Sequence, residues 1–320
     1  MKTLLIGAGA VGQVYGRHLQ QSGVQVGFYV KEKYADACRQ GMRMYPLNRG
    51  RQAVMFDSYT VHTDLIETLE QTWDQVWLCV STPALMGDWL EEVAEHLGDA
   101  TLVALQPGVE AVERIESLFD PHAIVWGGIS MISYQTPLKG VEDRPEGVAY
   151  WFPPMGPSPF WGAEAQARSA VAQLKKGGCP AAFNPQGRGQ LIFGSALLMP
   201  HLVALEAAGW SFAEVRRGKG LTLAAHASRE AMELLSARTG LKPPAFKAVI
   251  RPFWMGMLTR VAGYVVPLPI EPYLQYHFTK VGDQTRAMIH NYLAIGQKHG
   301  LPTPATEALM AWARDAGMDL

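Results

Sequence analysis

The sequence predicts an α/β chain: a doubly wound, mostly parallel sheet domain over residues 1–185, then an all-helical domain over residues 186–320. Three observations predict it. Short apolar runs alternate with amphipathic stretches through the first half, the pattern of successive βα units. The first of these runs meets four glycines in MKTLLIGAGAVGQVYG. After residue 190 the strand-like runs almost vanish, and long helix-compatible segments follow, punctuated by Gly209, Gly240 and Gly300-Leu301-Pro302.

The elements follow in order. Residues 2–6 have the length and apolarity of a buried strand, and Val11, Val14, Tyr15 and Leu19 continue with helical spacing to about residue 21. Ser22-Gly23 ends that helix, and residues 24–30 read as a second strand. Residues 54–61 read as extended, 64–71 as a short helix, and QVWLCV as a buried strand ending in an STP loop. Residues 86–96 read as a helix, 100–105 as a strand ending in QPGVE, 109–118 as a helix and 123–126 as a strand. From 129 to 160, prolines and glycines alternate with pieces such as GVAYWF, which predicts antiparallel strands and turns. Residues 163–176 read as an amphipathic helix, with a short strand in AAFNPQGRG. The helical half is expected as 191–208, 222–239, 244–262, 273–280, 284–299 and 306–316.

The opening stretch carries the first chemistry. Gly7, Gly9 and Gly12 stand at G-x-G-x-x-G spacing between a strand and a helix, inside one βαβ unit of a Rossmann type. Gly7 permits the tight turn, Gly9 lets a pyrophosphate approach the backbone, and Gly12 lets the helix pack close to its strand. The helix N-terminus offers free N–H groups and its positive dipole end to phosphate. The expected dinucleotide-binding residues are therefore Gly7, Ala8, Gly9, Ala10, Val11 and Gly12. An NAD site usually has an acid at the end of the second strand, to hold the ribose hydroxyls. Here the strand ends FYV and Lys31 follows, so the expected cofactor is NADP(H), with the cation meeting a 2′-phosphate. Glu32 keeps NAD open.

Composition excludes several classes. The net charge is −1, so no basic field points to nucleic acid. A chain 48% hydrophobic and 18% charged is globular rather than disordered. Cys38, Cys79 and Cys179 are few, odd in number and far apart, which fits a reducing cytoplasm and forms neither a disulfide framework nor a metal cluster. Glycines cut the first apolar run too early for a signal peptide, and no uninterrupted run of about 18 apolar residues predicts a spanning helix.

These segments together resemble the ketopantoate reductases (2-dehydropantoate 2-reductases), NADPH-dependent enzymes with an N-terminal Rossmann domain and a C-terminal helical domain. The resemblance rests on IGAGAVGQVYG, WLCVSTPAL, LVALQPGVEAVERI, IVWGGISMISYQTPLKGV, YLQYHF and AIGQKHGLPTPATEAL, and it spans nearly the whole chain. It implies that the loops containing Ser81, Gln106 and Pro107 also contact the cofactor.

The resemblance fails at the positions of the chemistry. Reducing a ketone needs hydride on one side and a proton for the developing alkoxide on the other. The family supplies the proton from a lysine at the start of the first C-terminal helix, and that position falls on Gln190 in GRGQLIFGSALL. An amide donates a hydrogen bond and cannot give up its proton at neutral pH. The family's Asn-Gly turn is Pro107-Gly108 here, and its loop lysine is Ser81. Its late glutamate aligns with Gln284, beside Asp283; its substrate serine falls on Pro272, and its asparagine one turn after the lysine is Gly194. The expected catalytic residues are Gln190, His277 and Gln284, histidine being the easiest replacement for a missing acid. His201, His226, Lys280 and Arg188 are further candidates, each with an ordinary packing or surface reading.

The resemblance thus implies an NADP(H)-dependent oxidoreductase acting on a 2-oxo acid or related carbonyl with altered catalytic residues, with a small-molecule substrate. An imine- or opine-type reductase and a non-catalytic NADP(H)-binding sensor or assembly protein stay open. No nucleic-acid or membrane partner is expected. By resemblance the helical domain implies a homodimer, and RPFWMGM with Tyr264, Tyr273 and Tyr276 offers either an interface or ordinary core.

Overall fold

The computed structural model describes the 320-residue chain except Arg49, Arg51, Pro107, Met155 and Val281 and the side chains of Val109, Glu110, Lys280 and Gln284. The chain divides into two compact units, Met1–Pro137 with Glu142–Arg188, and Leu138–Val141 with Gly189–Leu320.

The first unit opens with β1 (Lys2–Ile6), α1 (Ala10–Gln21), β2 (Gln25–Tyr29), α2 (Ala35–Arg39), β3 (Met42–Pro46), β4 (Val54–Phe56) and β5 (Thr60–His62). It continues with α3 (Leu65–Leu69), β6 (Gln75–Leu78), α4 (Trp89–His96), β7 (Thr101–Ala104), α5 (Val109–Glu116) and β8 (Ile124–Gly127). It closes with β9 (Ile132–Thr136), β10 (Gly147–Trp151), β11 (Ser158–Gly162), α6 (Glu164–Lys176) and β12 (Ala181–Phe183). The main sheet runs β12-β11-β8-β7-β6-β1-β2-β5. Its six strands from β5 to β8 are parallel, and their order matches the doubly wound dinucleotide-binding arrangement. Only β11 meets its neighbour β8 antiparallel.

Successive side chains of a strand point to opposite faces. Leu5, Trp77, Val103 and Val125 accordingly join the core under α1 and α6. Leu4, Ile6, Val76, Leu78, Leu102 and Ala104 join the core on the other face. Burial on both faces explains why these strands read as continuous apolar runs.

The antiparallel strands expected between 129 and 160 are present as β9 and β10, but they build a second sheet, β4-β3-β10-β9. Its β3 lies in a stretch the sequence reading left without an element. β3 pairs parallel to β10, with Met44 opposite Val148. Two other expectations need correction. The segment 54–61 is two short strands in different sheets, and 86–96 is a 3-10 turn, Thr82–Met86, followed by α4.

The second unit holds most of α7 (Gly187–Ala207), then α8 (Phe212–Arg217), α9 (Gly220–Thr239), α10 (Pro252–Val265), α11 (Ile270–Lys280), α12 (Gly282–His299) and α13 (Pro304–Asp315). Helix α7 starts four residues earlier than expected, at the first glycine of GRG. At 21 residues it is long and apolar enough to cross a bilayer by length and composition. Its Phe193, Ala196, Leu202, Val203 and Ala204 instead form core with α9, α12 and α13. The small residues Ala224, Ala227 and Ala231 of α9 are fully buried and let α13 approach closely. Glu230 of α9 fixes the start of α13, accepting from the Ala305 and Thr306 N–H groups at 2.9 and 2.8 Å. The expected helix 244–262 is divided: a 3-10 turn covers Ala245–Val249, and α10 starts at Pro252. A proline fits the first helical position and holds Arg251 before it in extended backbone. Helix α8 is absent from the sequence reading, although Ser211 caps it by accepting from Glu214 N–H.

Candidate dinucleotide site

Ligands of an open α/β sheet bind at the carboxyl ends of its strands, where the strand order reverses. In this unit that point lies between β1 and β6, which pair in parallel. The glycine turn leaves the end of β1 there, and the loop of Cys79 to Ser81 leaves the end of β6 beside it.

Each glycine of the turn has a separate reason. Gly7 has φ +105°, a conformation that disfavours side chains, and a Cβ there would stand 2.9 Å from the Cys79 carbonyl oxygen. Its N–H donates to Tyr29 O at 3.0 Å, tying the turn to β2. A Cβ on Gly12 would stand 2.2 Å from Gly7 O. Gly9 differs from both: its backbone is extended, and a Cβ there would meet nothing within 4 Å. Nothing inside the protein demands glycine at this position. The open position leaves the backbone here approachable from outside, the feature a pyrophosphate requires.

Gly9 is also the N-cap of α1. No side chain caps this helix, and its first turn contains no acid. The N–H groups of the first turn therefore have no intrahelical acceptor, and the positive end of the helix dipole is uncompensated. That is the donor set a pyrophosphate fits. Ala8, Ala10 and Val11 are half-buried beside it and pack on the core under α1. Gln13, which the sequence reading did not select, donates from Nε2 to Ala8 O at 2.9 Å and braces the turn from within.

The neighbouring strand ends carry the other expected residues. Cys79 lies below the turn, in contact range of the Cβ positions of Gly7 and Gly12, and burial pushes its thiol far above the usual range. It is a floor, not a nucleophile. Ser81 is exposed at the start of the 3-10 turn after β6, and Ala84 N–H donates to its carbonyl oxygen at 3.0 Å. Gln106 follows β7 and is buried. Its Nε2 donates to Leu78 O at 2.9 Å and to Val80 O at 2.6 Å, and its Oε1 accepts from Leu105 N–H at 3.1 Å. Its amide therefore clamps the ends of β6 and β7 together, which makes it a positioning residue. Pro107 lies outside the described residues.

Lys31 is exposed immediately after β2, where Val30 is buried and no carboxylate precedes it. Lys33 is drawn over the Tyr34 ring at 4.9 Å. At the end of the adjacent β5, His62 stands opposite Tyr29, accepts or donates at Thr60 Oγ1 across 2.8 Å, and packs edge-on to Trp73. Burial holds its imidazole below the usual histidine range.

The helical unit holds the expected catalytic residues. Gln190 is exposed in the first turn of α7. His277 is half-buried on α11, stacked on Tyr273 at 5.6 Å and 24°. Burial pushes the Tyr273 phenol up to about 12, so it is neutral across the physiological range. Gln284 lies on α12, its side chain outside the described residues, as is that of Lys280. His201 sits inside the helical core: Nδ1 donates to Leu197 O at 2.8 Å and lies 3.2 Å from Ser228 Oγ on α9. Burial keeps its imidazole below the usual range and neutral. His226 and Arg188 are exposed. Among the described residues no group of His, Cys, Asp and Glu could hold a metal ion.

The fold and the glycine turn define a class: a Rossmann-type α/β unit joined to a helical region. Residues 3–143 match the family model of ketopantoate reductase PanE/ApbA. No curated protein sequence matches. Solved structures similar in fold include a D-mandelate dehydrogenase with NADH and anilino(oxo)acetate, at TM-score 0.68 and 15% identity over 100% of both chains. They also include 2-dehydropantoate 2-reductase from Geobacter metallireducens GS-15, at 0.65 and 16% over 99% of this chain and 100% of that one. A PanE/ApbA family ketopantoate reductase from Ralstonia eutropha JMP134 matches at 0.65 and 19% over 99% and 98%.

Proposed function

We propose that the chain is an NADP(H)-dependent oxidoreductase that reduces a 2-oxo acid or related carbonyl, using polar groups other than the family's lysine. The open Cβ position of Gly9 on an uncapped helix N-terminus carries the dinucleotide part of this reading. The family match over residues 3–143 supports the reaction class. So do fold relatives that include a D-mandelate dehydrogenase and 2-dehydropantoate 2-reductases.

When bound, a nicotinamide supplies the hydride. The chain's own contributions are separate. The backbone N–H groups of Ala10 to Gly12 hold pyrophosphate oxygens, and Gln106 keeps the β6 and β7 ends in register around them. Lys31 meets the 2′-phosphate. Gln190 donates a hydrogen bond to the carbonyl oxygen and stabilises its developing charge, and His277 carries the proton that oxygen takes up.

The test is to titrate the purified chain with NADPH by fluorescence, then follow loss of the reduced-nicotinamide absorbance with ketopantoate and a panel of 2-oxo acids. Turnover with any of them supports the reading. Binding without turnover on the whole panel overturns the oxidoreductase part and favours a sensor. Lys31→Ala is expected to weaken NADPH about tenfold while leaving NADH within about twofold, the loss of one phosphate-paired cation. Equal losses for both nucleotides would remove Lys31 from the site.

We also propose that an exposed apolar face of the helical unit seats a second copy of the chain. On α10, Phe253 is 66% exposed, Trp254 51% and Tyr264 94%, with Met257, Leu258, Val261 and Val265 exposed beside them. At roughly 150–250 Å² for each aromatic side chain, this stripe with Phe246, Val249 and Tyr276 approaches the roughly 800 Å² per partner of a specific interface. Sedimentation is expected to show a dimer, and Trp254→Glu with Tyr264→Glu a monomer. A monomeric wild-type chain would refute it.

A further inference from the structure

The first unit contains a cavity that the dinucleotide site does not use. It has a volume of about 430 Å³, within the range of small-molecule sites. Arg17 and His18 of α1, Asn48, Tyr150 of β10 and Phe152 line it, with a wall of prolines that includes Pro154 and Pro180. It opens at the far half of α1. His18 is eight residues beyond Ala10, about 12 Å along a helix at 1.5 Å per residue.

The lining is chemically one-sided. Among the described residues the lining contains no acid, and none of the described ion pairs involves Arg17. Instead neutral groups hold the guanidinium: Nη1 donates to Tyr150 Oη and to Gln21 Oε1, both at 3.1 Å. Arginine offers five donors in a planar fork, so these bonds leave a charged, preoriented edge. His18, Tyr150 and Phe152 form an edge-to-face ring triad with centroids 5.3 to 5.7 Å apart. Asn48 pins that wall, donating to Phe152 O at 2.8 Å and accepting from Phe152 N–H at 2.7 Å. Prolines contribute apolar surface, no N–H donor and little freedom to lose on binding.

From this we infer that the cavity is a second small-molecule site, separate from the glycine turn, and that it takes a small aromatic carboxylate. The carboxylate pairs with Arg17, and the ring packs against the Tyr150 and Phe152 edges and the proline wall. A free inorganic anion would use the cation and leave the rings unused. An uncharged aromatic would bury the guanidinium edge without a partner.

The experiment is a saturation-transfer NMR titration with benzoate, and a parallel calorimetric titration with inorganic phosphate. It uses wild type, Arg17→Gln and a plugging variant, Gly156→Leu. A Cβ at Gly156 makes only ordinary contact, 3.6 Å from Pro153, so the added side chain can be accommodated. Circular dichroism and the melting temperature establish that each variant folds. Benzoate is expected to bind wild type with its ring protons saturated, and each folded variant at least tenfold more weakly, while phosphate gives no heat. The inference fails if wild type shows no benzoate saturation, if both variants bind benzoate as wild type does, or if phosphate binds and benzoate does not. Should one variant not fold, the other decides alone.

Discussion

Gly9→Asp is expected to weaken nucleotide binding about a hundredfold or more while making the unliganded protein slightly more stable. The two effects have separate causes at one atom. Gly9 is the N-cap of α1 in extended backbone, with open space where its Cβ would be. Aspartate is among the best N-cap residues and gains a few tenths of a kcal/mol over glycine there. It also narrows the unfolded ensemble, worth roughly 0.4–1 kcal/mol where the native backbone is unstrained. The same carboxylate occupies the approach of the pyrophosphate and takes up N–H groups of the first turn. Losing one or two charge-assisted bonds and adding a like charge amounts to roughly 3 kcal/mol or more, about a hundredfold in Kd. NADPH fluorescence titration and a thermal melt on the same preparation check it. Unchanged affinity in a folded variant would remove the glycine turn from any role in binding a dinucleotide. A lowered melting temperature would mean that the space around Gly9 serves the fold instead.

What the sequence disclosed of this site follows from what is local. The turn was legible because its demands are backbone demands: a positive φ at Gly7 and close contacts at Gly7 and Gly12 can be met only by residues without a Cβ. Gln106 was legible only as a position after a strand. That its amide is used up between Leu78 and Val80 depends on β6 and β7 being neighbours, which no local pattern states. The second sheet escaped for the same reason, since Met44 pairs with Val148 more than a hundred residues away. His201 illustrates the converse. A histidine on an apolar helix reads as a candidate acid until the helix turns it onto Leu197 O and Ser228, where desolvation keeps it neutral. The start of α8, by contrast, was written in the sequence as Ser211 followed by Glu214, a local signal that the reading passed over.

The second large effect is expected at Gln190. On the proposed reading, the chain reduces its substrate with an amide at the position where the family has a lysine. An amide can donate a hydrogen bond to the developing alkoxide but cannot transfer a proton to it. General acid catalysis is worth roughly 10²–10⁴-fold. Gln190→Lys is therefore expected to raise kcat on a 2-oxo acid by about a hundredfold, with NADPH affinity unchanged. The site tolerates the change: Gln190 is exposed in the first turn of α7, so a longer side chain needs no rearrangement of the core. The positive end of the helix disfavours a cation there by roughly 0.3–1 kcal/mol. That cost falls on the charged form, so it lowers the lysine pKa toward the working pH and favours proton release. The sign of the pH profile follows. The acid acts when protonated, so the added rate is present below the lysine pKa and lost as pH rises through it, a limb set by the lysine and separate from any that His277 gives in wild type. Gln190→Met supplies the comparison by removing the donor without adding an acid, and is expected to slow the reaction about tenfold, the value of one hydrogen bond to a charged oxygen. Initial rates of reduced-nicotinamide oxidation against pH for the three proteins separate these terms. If neither substitution changes the rate or its pH dependence, Gln190 does not face the reacting carbonyl.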